Sequence, residues 1–129
     1  MGAAHDLLAA RCPSRDVLNR VGARWVPTVL NALEPGPMRF TELKKVVEGV
    51  TAKALTETLR ALEYDGIVER VETPSVTPPR VDYSLTPLGR SLLDALKPVR
   101  EWAEQHVGEI AEARRRYELA SDAALARHR

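Results

Sequence analysis

The stretch TELKKVVEGVTAKALTETLRALEYDGI, residues 41–67, decides how this chain folds. Leu55, Leu59 and Leu62 recur at i, i+4 and i+7, the spacing of one helix face. Thr51 stands where a helix N-cap belongs, with Val50 and Leu55 at the staple positions around it. Gly66 stands where a left-handed residue ends a helix, and Ile67 after it can pack back on Leu62. Upstream, Thr41 is expected to cap a helix over 42–47, with Leu43, Val46 and Val47 inward and Gly49 as its stop. Only Glu48, Gly49 and Val50 separate the two helices, the spacing of a helix-turn-helix.

Working outward toward the C-terminus, residues 67–73 and 80–85 read as two strands. In the second, Val81, Tyr83 and Leu85 alternate with Arg80, Asp82 and Ser84. Pro74, Pro78 and Pro79 stiffen the connection and forbid a two-residue turn, so a long hairpin loop is expected. Thr86 followed by Pro87 opens a long helix by the cap-then-proline rule. Leu88, Leu92, Leu96 and Val99 are expected to carry its stripe, with a kink near residues 94–97 where Pro98 interrupts it. Helix resumes through Trp102, Val107 and Ile110, and residues 114–129 read as a frayed or disordered tail.

Working outward toward the N-terminus, a helix is expected over 14–21 with Ser14 as cap and Gly22 as stop. A second is expected over about 25–33, with Pro27 in its first turn. Trp25, Val29 and Leu33 line one face, with Val26 and Leu30 beside them. The run Glu34-Pro35-Gly36-Pro37 forces a turn, and residues 38–40 suit a small edge strand. The fold class is therefore mainly α with a small β-wing (α+β), a winged helix-turn-helix. It forms a single domain over residues 1–129 with a structured core of about 12–113.

Composition excludes several classes. The chain has 129 residues, 44% hydrophobic and 29% charged, which suits one globular domain. No apolar run approaches the roughly 18 residues of a membrane span. The first residues lack a signal peptide's long apolar segment, so a cytoplasmic location is expected. His5, His106 and His128 are scattered without metal-ligand spacing, no Gly-rich phosphate loop exists, and Cys12 has no paired histidine. No enzyme activity, metal or cofactor is expected. Net charge is only +1, so any affinity for nucleic acid must come from local clustering.

That clustering falls on the second helix of the motif. With its leucines inward, Lys53, Thr56, Glu57 and Arg60 face away from the core. Thr51, Lys53, Thr56 and Glu57 occupy the N-terminal half that reaches base edges in this motif. Lys53 can donate to guanine or phosphate, Thr56 can touch a thymine methyl, and Glu57 can accept from cytosine N4. Arg60, a turn further on, suits phosphate, as do Arg39 and Lys44 beside the motif. Arg80, at the wing base, can enter a narrow minor groove. For Arg60 and Lys44 a merely solvated helix face explains the charge equally well, and for Glu57 it explains it better. The rival to DNA binding is a winged helix that binds protein, which Glu57 and the near-neutral charge favour and Lys53 and Arg80 oppose.

On these features the chain resembles the HxlR family of bacterial, MarR-like regulators. The resemblance rests on Cys12-Pro13, Gly22-Ala23-Arg24-Trp25, Arg39-Phe40-Thr41-Glu42-Leu43 and Lys53-Ala54-Leu55-Thr56. Asp65-Gly66-Ile67-Val68 and the run from Pro78 through Arg80, Tyr83 and Thr86 to Gly89 carry it further, and it spans about residues 12–106. Ala23-Arg24 replaces the family's Gly-Lys, and Glu57-Thr58 replaces a polar amide and a basic residue. The latter departure suggests a different operator. Membership implies a transcriptional regulator that binds palindromic double-stranded operator DNA as a homodimer, with a small-molecule effector as a further possible partner. It also makes Cys12 a redox-sensing candidate, since similar proteins use a cysteine just before the first helix. Arg11 and Arg15 are near enough in sequence to favour its thiolate, and without a second cysteine any disulfide must leave the subunit.

The long final helix is the natural dimer clamp. Leu92, Leu96, Val99, Ala103, Val107 and Ile110 extend its stripe past what one small domain covers, and an identical partner is the simplest cover. Val17, Leu18 and Val21 of the first helix can widen that interface. Trp102 lies within the clamp, and both it and Trp25 read first as packing residues.

Overall fold

The computed structural model describes residues 6–74 and 77–128. Its elements are α1 (Pro13–Val21), α2 (Val26–Ala32), α3 (Phe40–Val46), α4 (Ala52–Tyr64), β1 (Val68–Thr73), β2 (Arg80–Leu85) and α5 (Pro87–Arg127). The chain divides into two compact units, Met1–Asp94 and Ala95–Arg129.

The first unit is organised by α4. Thr51 Oγ1 accepts from the Ala54 amide at 3.0 Å and so satisfies one of the orphan donors of the helix start. Leu55, Leu59 and Leu62 are buried, as is the staple residue Val50. At the other end Gly66 takes φ +74°, and the Ile67 amide returns to the Leu62 carbonyl at 2.9 Å. Val26, Val29, Leu30 and Leu33 of the α2 region and Leu43 and Val47 of the α3 region complete the layer.

β1 and β2 pair antiparallel, from Val68↔Leu85 at the base to Thr73↔Arg80 at the tip. The expected strand at 38–40 reduces to one bridge, Met38↔Tyr83, because Phe40 already begins α3. The hairpin ends at the cap of α5. Thr86 Oγ1 accepts from the Gly89 amide at 3.0 Å and donates to the Gly66 carbonyl at 2.6 Å. One hydroxyl therefore ties the end of α4 to the start of α5. Two residues of the expected loop, Ser75 and Val76, lie outside the described residues, as does His5.

Several further expectations need correction. Cys12, not Ser14, is the N-cap of α1; Pro13 takes the first turn, where its missing N–H costs nothing. Arg39, not Thr41, precedes α3, and the Glu42 carboxylate caps by accepting from the Arg39 amide at 3.2 Å. Val46 is 55% exposed and not inward, since the helix ends there and Val47 turns into the core instead. Leu88 is exposed, while Gly89 and Leu93 are the buried residues of early α5. The reason is steric. Gly89 lies so close to the Ile67 carbonyl that a Cβ there would overlap its oxygen, and this contact fixes the rotation of the helix. Finally, Pro98 does not interrupt α5, which remains helical on both sides of it. A proline removes one amide from the ladder, which a long helix can bridge.

Within the second unit the segment expected to fray is helical to Arg127. Glu112 supports it by pairing with Arg115 at 2.6 Å and Arg116 at 3.9 Å, one turn on. Val99, Trp102 and Val107 are exposed here, and Ile110 is half-buried. Trp102 is thus not a core residue; its ring stacks on His106 at 4.7 Å.

Candidate nucleic-acid interface

The turn between α3 and α4 is made by Gly49 at φ +86° and by Val50, which is buried. Trp25 supports this turn from behind: its ring edge lies 3.7 Å from where a Cβ on Gly49 would stand. Arg24 lies over the face of that ring, 4.8 Å from its centroid. Half-buried, Trp25 serves packing.

With the leucine face of α4 sealed, the opposite face is open. Lys53, Glu57 and Arg60 are exposed, and among the described residues none of the three forms an ion pair. Thr51 and Thr56 are less available than their positions imply. The Thr51 oxygen is engaged as the cap, and the Thr56 hydroxyl donates to the Ala52 carbonyl at 2.8 Å. Thr56 therefore offers its methyl group and a lone pair, not a proton. Arg39 and Lys44 are exposed on α3 and at its start.

Arg80 begins β2 and pairs with Thr73 at the tip of the ladder, not at the wing base as expected, and is held by Asp82 on the same strand face. Its Nε lies 2.9 and 3.2 Å from the two Asp82 carboxylate oxygens. The hydrogen bond to Asp82, and then the charge of Asp82, raise the Arg80 pKa above its already high ordinary value. Arg80 thus stays cationic at any working pH. Asp82 aims it, and also offsets part of its charge.

Two features were not found from sequence. Arg20 on α1 donates to Asp65, the C-cap of α4, at 2.7 Å, so the first helix is tied to the end of α4. Arg70 on β1 lines a cleft together with Phe40, Thr56, Leu59, Arg60, Glu63 and Tyr83. Strand alternation gave no signal for it, because its surroundings depend on where the hairpin packs.

Cys12 is buried, with 6% exposure. Arg15 does not serve it: its guanidinium donates to the Leu8 carbonyl at 3.1 Å. The expected interface residues of the first unit divide, Val17 and Leu18 being exposed and Val21, Leu92 half-buried. In the second unit Leu96 is half-buried and Ala103 exposed. Among the described residues no group of His, Cys, Asp or Glu could hold a metal, and no helix is long and apolar enough to cross a membrane.

A helix-turn-helix with a sealed inner face, followed by an antiparallel hairpin, defines the winged helix-turn-helix transcriptional regulators. The chain belongs to the HxlR-like helix-turn-helix family, whose model matches residues 20–111. It is 41% identical over 109 residues to the uncharacterized HTH-type transcriptional regulator YtfH of Escherichia coli (strain K12), covering 84% of this chain and 86% of that protein. Among solved structures it resembles ytfH from Salmonella typhimurium, at 41% identity and TM-score 0.77, over 87% of this chain and 99% of that one. It also resembles the redox regulator HypR in its reduced form, at 33% identity and TM-score 0.71, over 78% of this chain and 98% of that one.

Proposed function

We propose that this regulator works as a cytoplasmic homodimer that binds a palindromic double-stranded DNA operator in a sequence-specific way. The observation that carries the reading is the two-sidedness of α4. Its leucines are buried while Lys53, Glu57 and Arg60 are exposed and unpaired among the described residues, in a chain whose hairpin carries the charged Arg80 at the start of its second strand. The N-terminal half of α4 enters the major groove, where Lys53 and Glu57 meet base edges. Arg39, Lys44, Arg60 and Arg80 hold the backbone or the adjacent minor groove.

Pairing two such helices at fixed spacing requires a dimer. The exposed apolar residues Val17 and Leu18 on α1, and Val99, Trp102 and Val107 on α5, support one. Each subunit then reads one half-site, with centres about one helical turn apart, roughly 34–36 Å. A gel shift on the protein's own promoter tests the reading; binding no stronger than to unrelated duplex at low salt would replace it with the protein-binding winged helix.

Resemblance to HypR supports a second, finer reading, in which oxidation of Cys12 alters DNA affinity. Its burial as the α1 cap means an oxidant reaches it only as that helix end opens. DNA affinity before and after mild oxidation, in wild type and Cys12→Ser, tests it. Identical responses in both proteins would leave Cys12 with no sensing role.

A further inference from the structure

Arg60 and Arg70 come from different elements, α4 and β1, and line the same cleft. Neither is locked in a tight ion pair. Arg60 has no ion pair among the described residues, and Arg70 reaches only Glu72, at 3.8 Å and with both side chains well exposed. Among the residues lining the cleft, Glu63 is the one acid against two arginines, and Glu72 reaches Arg70 from outside the lining. Two guanidinium groups and one carboxylate at an open cleft suit a ligand with a single negative charge and several acceptor oxygens.

The remaining polar groups narrow the choice. Thr56 cannot donate, because its proton is held by the Ala52 carbonyl. Tyr83, which also lines the cleft, can: its backbone is pinned by the two Met38 hydrogen bonds at 2.9 and 2.8 Å, and its hydroxyl has no hydrogen-bond partner among the described residues. Donors thus outnumber acceptors, as a phosphodiester requires.

We infer that the cleft between α4 and the hairpin seats one backbone phosphodiester of DNA, held by Arg60 and Arg70 with the Tyr83 hydroxyl. The inference rests on the DNA-binding reading above and deepens it. The seat carries no sequence information. It fixes how far α4 rolls in the groove, because the phosphate is gripped by the helix and by the wing strand at once. Glu63 tunes the grip downward and keeps non-specific binding weak.

The test uses the full chain, its own promoter fragment and sheared genomic DNA. Arg70→Ala should weaken both by the same factor and flatten the slope of log affinity against log salt by about 0.9 per cleft engaged. A dimer would show about twice that. Arg70→Lys should keep the slope while losing affinity, and Glu63→Gln should tighten binding to both DNAs. Thermal unfolding of all three should match wild type, since the side chains are exposed. Two results would overturn the seat: wild-type affinity and slope in Arg70→Ala, or a loss confined to the promoter with an unchanged slope. A wild-type protein that binds neither DNA would instead remove the DNA reading itself, and the seat with it.

Discussion

Helix α4 and the part of α5 from Ala95 onward both carry apolar side chains at helical spacing, and the chain treats them in opposite ways. Leu55, Leu59 and Leu62 are 0–2% exposed, whereas Val99, Trp102 and Val107 are 59%, 55% and 63% exposed. Burial within the chain fixes the roll of α4 and so aims its polar face. An apolar face left open does no such work alone; it is a surface for something else to cover. One helix is finished by folding; the other keeps an open apolar face, which the dimer proposed above would cover.

The largest effect should come from damaging the finished helix. Leu62→Ala removes a fully buried side chain and should cost about 2–5 kcal/mol in urea unfolding. Val107→Ala, at an exposed site, should stay within about 0.5 kcal/mol when measured on the separated monomer. Equal losses at the two sites would erase the contrast.

The next effect falls on the unfinished helix. Val99→Glu with Ile110→Glu should split the proposed dimer while each subunit keeps its circular dichroism spectrum. Sedimentation reads the result, and a double variant that remains dimeric would place the clamp elsewhere. Smaller again is the polar face of α4. Lys53→Ala should cost about 1–3 kcal/mol on the operator and relax preference at one base pair, if the amine reads an edge. A uniform loss across sequences would move Lys53 to phosphate. Smallest is the link between α1 and α4. Arg20→Ala breaks a half-exposed ion pair and should change thermal stability by no more than about 1 kcal/mol.

These contrasts were unevenly legible in the sequence. The boundaries of α4 could be read because each signal is local: a threonine cap, a period of leucines, a glycine stop. The limits of β2 were legible for the same reason. The inward side of early α5 was not, because Gly89 faces a carbonyl twenty-two residues earlier in the chain and periodicity alone favours the larger Leu88. Arg39 as the start of α3 was hidden because its cap comes from Glu42 reaching back, not from its own side chain. Arg70 and the Arg20–Asp65 pair belong to the same class: each acquires meaning from a neighbour distant in the chain. Of the candidate interface, the residues facing out of α4 were legible; the engagement of the Thr51 and Thr56 hydroxyls by their own helix, and of Arg80 by Asp82, needed the geometry.

Thr86 sets how the first unit comes apart. Its one hydroxyl holds the Gly66 carbonyl and the Gly89 amide, two helix ends separated by the whole hairpin. Neither end can loosen without releasing the other's partner. In hydrogen–deuterium exchange the Gly89 amide therefore reports on more than the first turn of its own helix: its protium should be lost together with the amides at the end of α4, at one shared rate. Replacing Thr86 with valine would give the two ends separate clocks.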